Sequence, residues 1–369
     1  MIIFQRGIEN QIRNSLFKKS LVIILGPRQS GKTTLSKKII ESFKDDGGYF
    51  NCEFADVRKY FVLGEPDKLL ELVKNRKIVV FDEAQTIQNI GKILKIFHDT
   101  YSHIQIIATG SSSFDLANKI KEPMTGRAFE FILLPLTLSE VKSALGLNKE
   151  RLNELMFYGS YPAVVGAESI EDKKMELKKI ATNYLYKDIY TFEAIHNPKI
   201  FEDLLINLAH ATGGTVTAYK LGKDLGVAPS TIERYIRLLE QSFVIKRFYS
   251  YSRNFSNELK KSYKIYFLDT GVRNALIEPV NMNDNQAKGI LFENFFVIEK
   301  MKQGLLEIFP PRLTFWRTKQ GLEIDLVEVK NRELIAYECK LSKEEVSFKK
   351  FLEFYPGSSV SVVTPEDLI

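Results

Sequence analysis

Residues Gly26-Pro27-Arg28-Gln29-Ser30-Gly31-Lys32-Thr33 have the spacing G-x-x-x-x-G-K-T. Glycines let such a segment curl until several backbone N–H groups point inward at phosphate oxygens. A helix starting at its end adds partial positive charge. In this pattern Gly26 through Thr34 form the phosphate-binding run, Lys32 reaches the β- and γ-phosphates of ATP, and the Thr33 hydroxyl holds Mg²⁺. Further along, Ile78-Val79-Val80-Phe81-Asp82-Glu83 is an apolar run closed by two acids. Asp82 supports Mg²⁺ there, and Glu83 polarises the attacking water. Thr109-Gly110-Ser111-Ser112-Ser113 follows another apolar run. Either a polar side chain such as Ser111 orients water against the γ-phosphate, or the segment is a Gly/Ser turn. Arg127 also has two readings: a finger into a neighbouring subunit's nucleotide, or a surface arginine paired with Glu130.

A second constellation lies in the last eighty or so residues. Leu322–Lys330 and Leu334–Lys340 read as strands around Asn331-Arg332. A two-residue hairpin turn there pairs 330 with 333, and so sets Asp325 opposite Glu338 and Glu323 opposite Lys340. Strict alternation then puts Glu323, Asp325, Glu338 and Lys340 on one face with Val327, Val329, Leu334 and Ala336. Carboxylates that close repel unless a cation or proton lies between them. The spacing resembles the PD-(D/E)XK nuclease signature, with Glu323-Ile324-Asp325 lacking the proline of the name. That resemblance implies Mg²⁺ on Asp325 and Glu338, a further carboxylate from Glu293 on a helix over 289–301, and Lys340 positioning or activating water. The alternative is a nuclease-like scaffold whose charges, Glu323 and Lys340 among them, pair as salt bridges.

Both constellations need elements to hold them. Leu21–Leu25 is an apolar strand stopping at Gly26, and a helix over 32–43 carries Leu35, Ile39, Ile40 and Phe43 on one stripe. Strands are expected at Tyr49–Phe54, Lys77–Phe81, Ile104–Ala108 and Phe129–Leu134, with a helix at Ile87–Thr100. Such alternation predicts an α/β fold with a parallel sheet covered on both faces.

The P-loop, the Phe81-Asp82-Glu83-Ala84-Gln85 segment, the Thr109-Gly110-Ser111-Ser112 turn, and Gly126-Arg127 followed by Leu134-Pro135-Leu136-Thr137-Leu138-Ser139-Glu140 resemble prokaryotic AAA-type ATPases. Over nearly the whole chain the resemblance is to a group with a winged helix and a nuclease-like C-terminal domain. It implies an AAA-like sheet, ATP hydrolysis with Mg²⁺, and self-assembly into a homo-oligomer. Tyr184-Leu185-Tyr186-Lys187-Asp188-Ile189 shares the resemblance without an assigned chemistry.

Residues 141–200 read as helical with a break at Tyr158–Pro162, and Lys173, Lys174, Lys178 and Lys179 form a basic face. Residues 201–250 read as a winged helix. Its helices run over Phe201–Ala211, Ala218–Leu225 and Thr231–Ser242, the second closing at Gly226. In the third, Ile232, Tyr235, Ile236 and Leu239 point inward, leaving Ser230, Glu233, Arg234 and Arg237 outward for DNA. A strand over 243–249 and the stretch 253–264 form the wing. Residues 246–264 hold six Lys or Arg against one acid, with Tyr249, Tyr251 and Tyr263 among them. That mixture suits phosphate contact and base stacking, although winged helices also dock proteins.

The 369 residues are 44% hydrophobic and 27% charged, which excludes disordered, collagenous and disulfide-scaffold classes. No apolar run reaches membrane-spanning length, and the charged N-terminal residues do not read as a secretory signal. Two distant cysteines, Cys52 and Cys339, fit a reducing cytoplasm. A net charge of +6 permits nucleic-acid binding. The domains expected are an ATPase over 1–140, a helical connector over 141–200, a winged helix over 201–280 and a nuclease-like domain over 281–369. The function expected is ATP hydrolysis acting on nucleic acid, in DNA remodelling or defence. The alternatives are a nucleotide-dependent switch docking a protein partner, with an inert nuclease fold, or a C-terminal domain that serves oligomerisation.

Overall fold

The computed structural model describes residues 2–111, 126–190, 195, 197–252, 262–277 and 284–369, with backbone alone for 183–190. Two compact units result, one built on residues 3–136 and the other on residues 137–240 and 244–369.

The first unit contains β1 (Leu21–Leu25), β2 (Gly47–Asn51), β3 (Ile78–Asp82), β4 (Gln105–Gly110) and β5 (Ala128–Ile132). They form one sheet in the order β2-β3-β4-β1-β5, parallel throughout. β1, β3 and β4 are buried at every residue, as central strands covered on both faces must be. The helix Lys32–Glu41 buries Leu35, Ile39 and Ile40 and packs on β2 and β3. Strand β2 begins two residues before the expected Tyr49, because Gly47 and Gly48 belong to it. A Cβ on Gly47 would meet the Ile40 side chain at 2.7 Å, so close approach to the helix selects glycine where β-propensity disfavours it. Leu25 of β1 lies beside Gly110 of β4, and Phe81 of β3 beside Ala108. The ends of three adjacent strands therefore bring the P-loop, Asp82-Glu83 and Ser111 to one sheet edge.

The second unit opens with helices Leu138–Leu145, Lys149–Tyr158, Pro162–Val165 and Ile170–Tyr190. Thr137 and Glu140 start the first of them with a capping box. The expected break at Tyr158–Pro162 is made by Gly159, at φ 82°, where a Cβ would strike the Asp269 carboxylate. Next come the helix Pro198–His210, β6 (Thr215–Val216), the helices Ala218–Leu225 and Pro229–Gln241, β7 (Ile245–Tyr249) and β8 (Tyr263–Phe267). Their sheet runs β6-β8-β7 and is antiparallel. The last helix of the three starts at Pro229, two residues before expectation, since a proline's fixed φ suits the first turn. Of the expected wing, residues 253–261 lie outside the described residues.

The helix Asn285–Gly304 packs on β8 and on a four-stranded mixed sheet. That sheet is β9 (Arg312–Arg317), β10 (Glu323–Lys330), β11 (Glu333–Cys339) and β12 (Ser359–Val363), ordered β12-β11-β10-β9. β10 and β11 pair in the expected register, Lys330 with Glu333 through Leu326 with Tyr337, and Asn331 and Arg332 turn at φ 50° and 71°. Beyond Ser250 the Tyr251 N–H donates to Phe315 O at 2.6 Å, so the chain leaving β7 adjoins β9.

Apart from residues 241–243, the expected segments 141–200, 201–280 and 281–369 fall within one compact unit, and buried polar ties cross between them. Asp269 accepts from the Ser160 N–H at 2.7 Å. Lys302 Nζ donates to Ser160 Oγ at 2.7 Å, and Glu299 accepts at 2.9 Å from the N–H of Leu138, which lies before these segments but in the same unit.

Candidate nucleotide site and a lysine–carboxylate cluster

The P-loop curls through positive φ at Gln29 (60°) and Gly31 (98°) and enters the helix at Lys32. The N-cap residue is Gly31, so no side chain at that position caps the helix's first N–H groups. A Cβ on Gly26 would collide with Leu133 O at 2.1 Å, which fixes glycine where the loop leaves β1. Lys32 is buried and donates from Nζ to Gly26 O and Pro27 O, each at 2.9 Å. Ser30 Oγ is buried without a hydrogen-bond partner, an unusual state for a hydroxyl and one a phosphate oxygen would relieve. Thr34 lies exposed on the first turn, Gln29 is exposed and Arg28 half-buried.

Asp82 is the hub on the facing strand. It accepts from Thr33 Oγ1 at 2.8 Å, from Tyr49 Oη at 2.5 Å, and from Thr109 Oγ1. A threonine hydroxyl bonded to a carboxylate at the end of β3 is a donor set suited to Mg²⁺. Burial, then the bond to Asp82, pushes the Tyr49 phenol well above its usual range, so it remains a donor. Burial, with Asp82 and Glu83 behind it, pushes the Cys52 thiol up to about 12. Glu83 sits in the left-handed region at φ 52°. Its carboxylate accepts from Gln85 Nε2, which also donates to Ser111 Oγ at 3.0 Å. The structure thus gathers Lys32, Thr33, Asp82, Glu83 and Ser111 at one edge. Ser112 and Ser113 lie outside the described residues.

Sequence reasoning gave Arg6 and Tyr49 no part in the site, and named Gln85 and Thr109 only within the segments Phe81–Gln85 and Thr109–Ser113. Arg6 is buried and clamps the loop from behind, donating to Ser30 O at 2.6 Å and Leu134 O at 2.7 Å. Arg127 is half-exposed and pairs with Asp99 at 3.2 Å. The expected bland partner, Glu130, is not the one this ion pair uses.

On the helix Pro229–Gln241, Ser230, Arg234 and Arg237 are exposed, opposite buried Ile232, Tyr235, Ile236 and Leu239. Glu233 differs from expectation. It accepts from Arg247 Nη1 at 2.6 Å and so faces β7. Arg247 also bonds Glu240, at 2.8 Å. The basic stretch 246–264 is therefore less basic at the surface than its composition suggests. Arg247 and Lys264 are paired internally, Lys246 is exposed, and Arg253, Lys260 and Lys261 lie outside the described residues. Tyr219, 72% exposed on the Ala218–Leu225 helix, is an aromatic the sequence reading did not single out.

The acidic end of the C-terminal sheet departs further from expectation. Ile324 shares an apolar cluster with Trp316, Val327, Ala336 and Phe351. Strict alternation would set 324 and 327 on opposite faces. The pairing with β9 shifts between them: Ile324 opposes Trp316, but Val327 opposes Thr314. This bulge turns Ile324 into the apolar face and its neighbours Glu323 and Asp325 to the other side. There they meet Lys264 of β8. Its Nζ lies 2.6 Å from Glu323, 2.9 Å from Glu293 and 3.3 Å from Asp325. Lys264 is 1% exposed. Burial pulls its pKa down, but the charges of Glu293, Asp325 and Glu323 outweigh it and the net shift is upward. Burial pushes Glu293 up to about 7. Tyr266 Oη donates to Glu293 at 2.5 Å and the Cys339 N–H to Asp325 at 3.0 Å. Glu338 pairs instead with Lys340, at 3.2 Å. Among the described residues no group of three or more His, Cys, Asp or Glu is arranged to hold a metal ion. The Mg²⁺ expected on Glu293, Asp325 and Glu338 thus meets a lysine ammonium at two of its three ligands, and these residues do not fit that ion.

Among the described residues no helix is long and apolar enough to cross a membrane. Residues 18–142 match the family model described as AAA domain, residues 149–285 a domain of unknown function (DUF8612), and residues 288–368 another (DUF4143). The chain is 28% identical to an uncharacterized protein of Mycobacterium tuberculosis over 90% of its own length and 73% of that protein's. It is also 28% identical to one of Methanocaldococcus jannaschii, covering 93% and 80%. Among solved structures it is similar to the Aeropyrum pernix ORC1 protein in complex with DNA, at 12% identity and TM-score 0.36, covering 74% of this chain and 92% of that one. The Pif1 helicase from Candida albicans matches at 13% identity and TM-score 0.27, covering 48% of each chain. By these matches the chain is similar to an AAA-type domain followed in sequence by two domains of unknown function.

Proposed function

We propose that this chain hydrolyses ATP at the 3–136 unit and acts on DNA through a winged helix in the second. The observation that carries the ATPase reading is the 2.8 Å bond from Thr33, at the head of the P-loop helix, to Asp82 at the end of β3. Lys32 would exchange its loop carbonyls for the β- and γ-phosphate oxygens, and the uncapped N–H groups would hold the remaining charge. Mg²⁺, when bound through Thr33 and Asp82, would neutralise charge developing between those phosphates. Glu83 would accept hydrogen bonding from the attacking water, with Gln85 and Ser111 orienting that carboxylate. Arg127, whose surface pair with Asp99 is easily exchanged, would serve a neighbouring subunit's nucleotide in a homo-oligomer.

The order helix, strand, helix, helix, strand, strand over 198–267 supports the winged helix. Exposed Ser230, Arg234 and Arg237, with Tyr219 nearby in sequence, support DNA contact. Two free cysteines, Cys52 and Cys339, are in keeping with the cytoplasm.

The test is ATP turnover measured side by side with duplex DNA, single strands, RNA and no nucleic acid. Stimulation by DNA is expected. Turnover indifferent to every nucleic acid would sink the DNA half and favour the second reading, a nucleotide-dependent switch docking a protein. That reading draws on Lys264, whose position among the carboxylates supports a scaffold role for the C-terminal sheet.

A further inference from the structure

The acidic end of the C-terminal sheet is neutralised from within the chain. A lysine ammonium has three N–H donors and no acceptor. At Lys264 three carboxylates, Glu323, Glu293 and Asp325, take up those donors at 2.6, 2.9 and 3.3 Å. These are hydrogen-bond lengths, longer than the roughly 2.0–2.1 Å at which Mg²⁺ holds oxygen. The Phe315 ring lies 5.7 Å from the same nitrogen and walls it further. All three carboxylates have other partners as well: Glu323 pairs with Arg317 at 3.3 Å, Asp325 accepts from the Cys339 N–H at 3.0 Å, and Glu293 accepts from Tyr266 Oη at 2.5 Å.

The route to this arrangement is built into the backbone. The β10 bulge turns Glu323 and Asp325 toward the side where Lys264 lies. Gly213, at φ 77°, lets the turn before β6 pass Glu293, where a Cβ would come within 3.2 Å of the carboxylate. Charge decides what else can enter. When all are ionised, Glu293, Glu323 and Asp325 bring three negative charges, and Lys264 and Arg317 return two. Without Lys264 the deficit would be two, the charge one divalent ion supplies.

We propose that Lys264 is the resident cation of this cluster, that it excludes divalent ions from it, and that its removal uncovers a latent Mg²⁺ or Mn²⁺ site. The proposal concerns the second unit alone and does not rest on ATP hydrolysis or DNA binding.

The experiment uses the nucleotide-free full-length chain, with melting temperature followed against Mn²⁺ concentration. Four proteins are compared: wild type, Asp325→Asn, Lys264→Met, and Lys264→Met with Asp325→Asn. Any shift from the P-loop is common to all four and cancels. Asp325→Asn is expected to melt below wild type without metal, because Lys264 loses a partner, and to show the wild-type response to Mn²⁺. Lys264→Met is expected to melt lower still without metal and to recover several degrees more than wild type as Mn²⁺ rises. The double variant should lose that extra recovery. A wild-type shift that Asp325→Asn removes would overturn the proposal, because a metal would then bind beside the lysine. So would a folded Lys264→Met with no extra response. Should Lys264→Met fail to fold with or without Mn²⁺, the comparison of wild type with Asp325→Asn decides alone.

Discussion

Lys32 and Glu83 would divide the work of one reaction between holding and activating. Lys32→Ala should abolish ATP turnover, because the phosphates lose their fixed cation, and a phosphate-release assay reads this directly. Glu83→Gln should keep nucleotide affinity yet trap ATP, visible as stable binding with turnover lost. Tyr49→Phe removes a hydrogen bond to a charged group, a change worth about 1.5–3 kcal/mol. Denaturant unfolding should show the lower stability, and turnover should fall less than in Glu83→Gln, since Thr33 and Thr109 still bond Asp82. The P-loop and Asp82-Glu83 were legible because their chemistry is written in local spacing. Tyr49 and Arg6 were not, because each reaches the site from a different strand or terminus with no spacing rule linking it to the loop. Lys264 was hidden for the same reason: a lysine in a basic stretch reads as surface, and only the fold shows it buried among carboxylates. Breaking a buried ion pair by removing one partner costs about 3–5 kcal/mol, so Lys264→Met should be among the most damaging single changes in the second unit.

At the level of elements, the hairpin shows how far a pattern can be trusted. The turn at Asn331-Arg332 and the register of β10 with β11 followed from spacing alone, because a tight turn fixes every later pair. The face assignment at the acidic end did not survive. One extra residue opposite Phe315 reverses which side Glu323 and Asp325 take, and nothing in the residue types announces a bulge. The helix Pro229–Gln241 is the opposite case: its apolar stripe predicted exposed Arg234 and Arg237, and both are exposed. Replacing both with alanine should weaken DNA binding and leave ATP binding intact. If each contacts a phosphate, the slope of log affinity against log salt should flatten by roughly 1.8, about 0.9 per contact. An unchanged slope in the folded double variant would return that helix to the protein-docking reading.

Across the whole chain, composition and strand–helix alternation were enough for the α/β class, while the grouping of residues 137–369 into one unit was not visible. Buried polar side chains far apart in sequence join across that unit, and they give it a pH signature. Burial raises the carboxyl pKa of Glu299 above its ordinary 4.5 and that of Asp269 above 3.8. Each therefore contributes stability that is full below its ordinary value and lost as pH rises through its folded value. The contribution of these two groups to melting temperature should accordingly fall as pH climbs from about 4.5. Glu299→Gln keeps an acceptor for the Leu138 N–H and should flatten that fall, as a melting series across pH would record. Lys264 carries the last consequence. It lies on β8, 61 positions before Asp325, whereas the segment matching the C-terminal family model starts at residue 288. A fragment cut at that boundary inherits Glu293, Glu323 and Asp325 but leaves their counter-ion behind. In this chain the C-terminal sheet is therefore not a portable module: a transplant that keeps the cluster neutral must carry residue 264 as well.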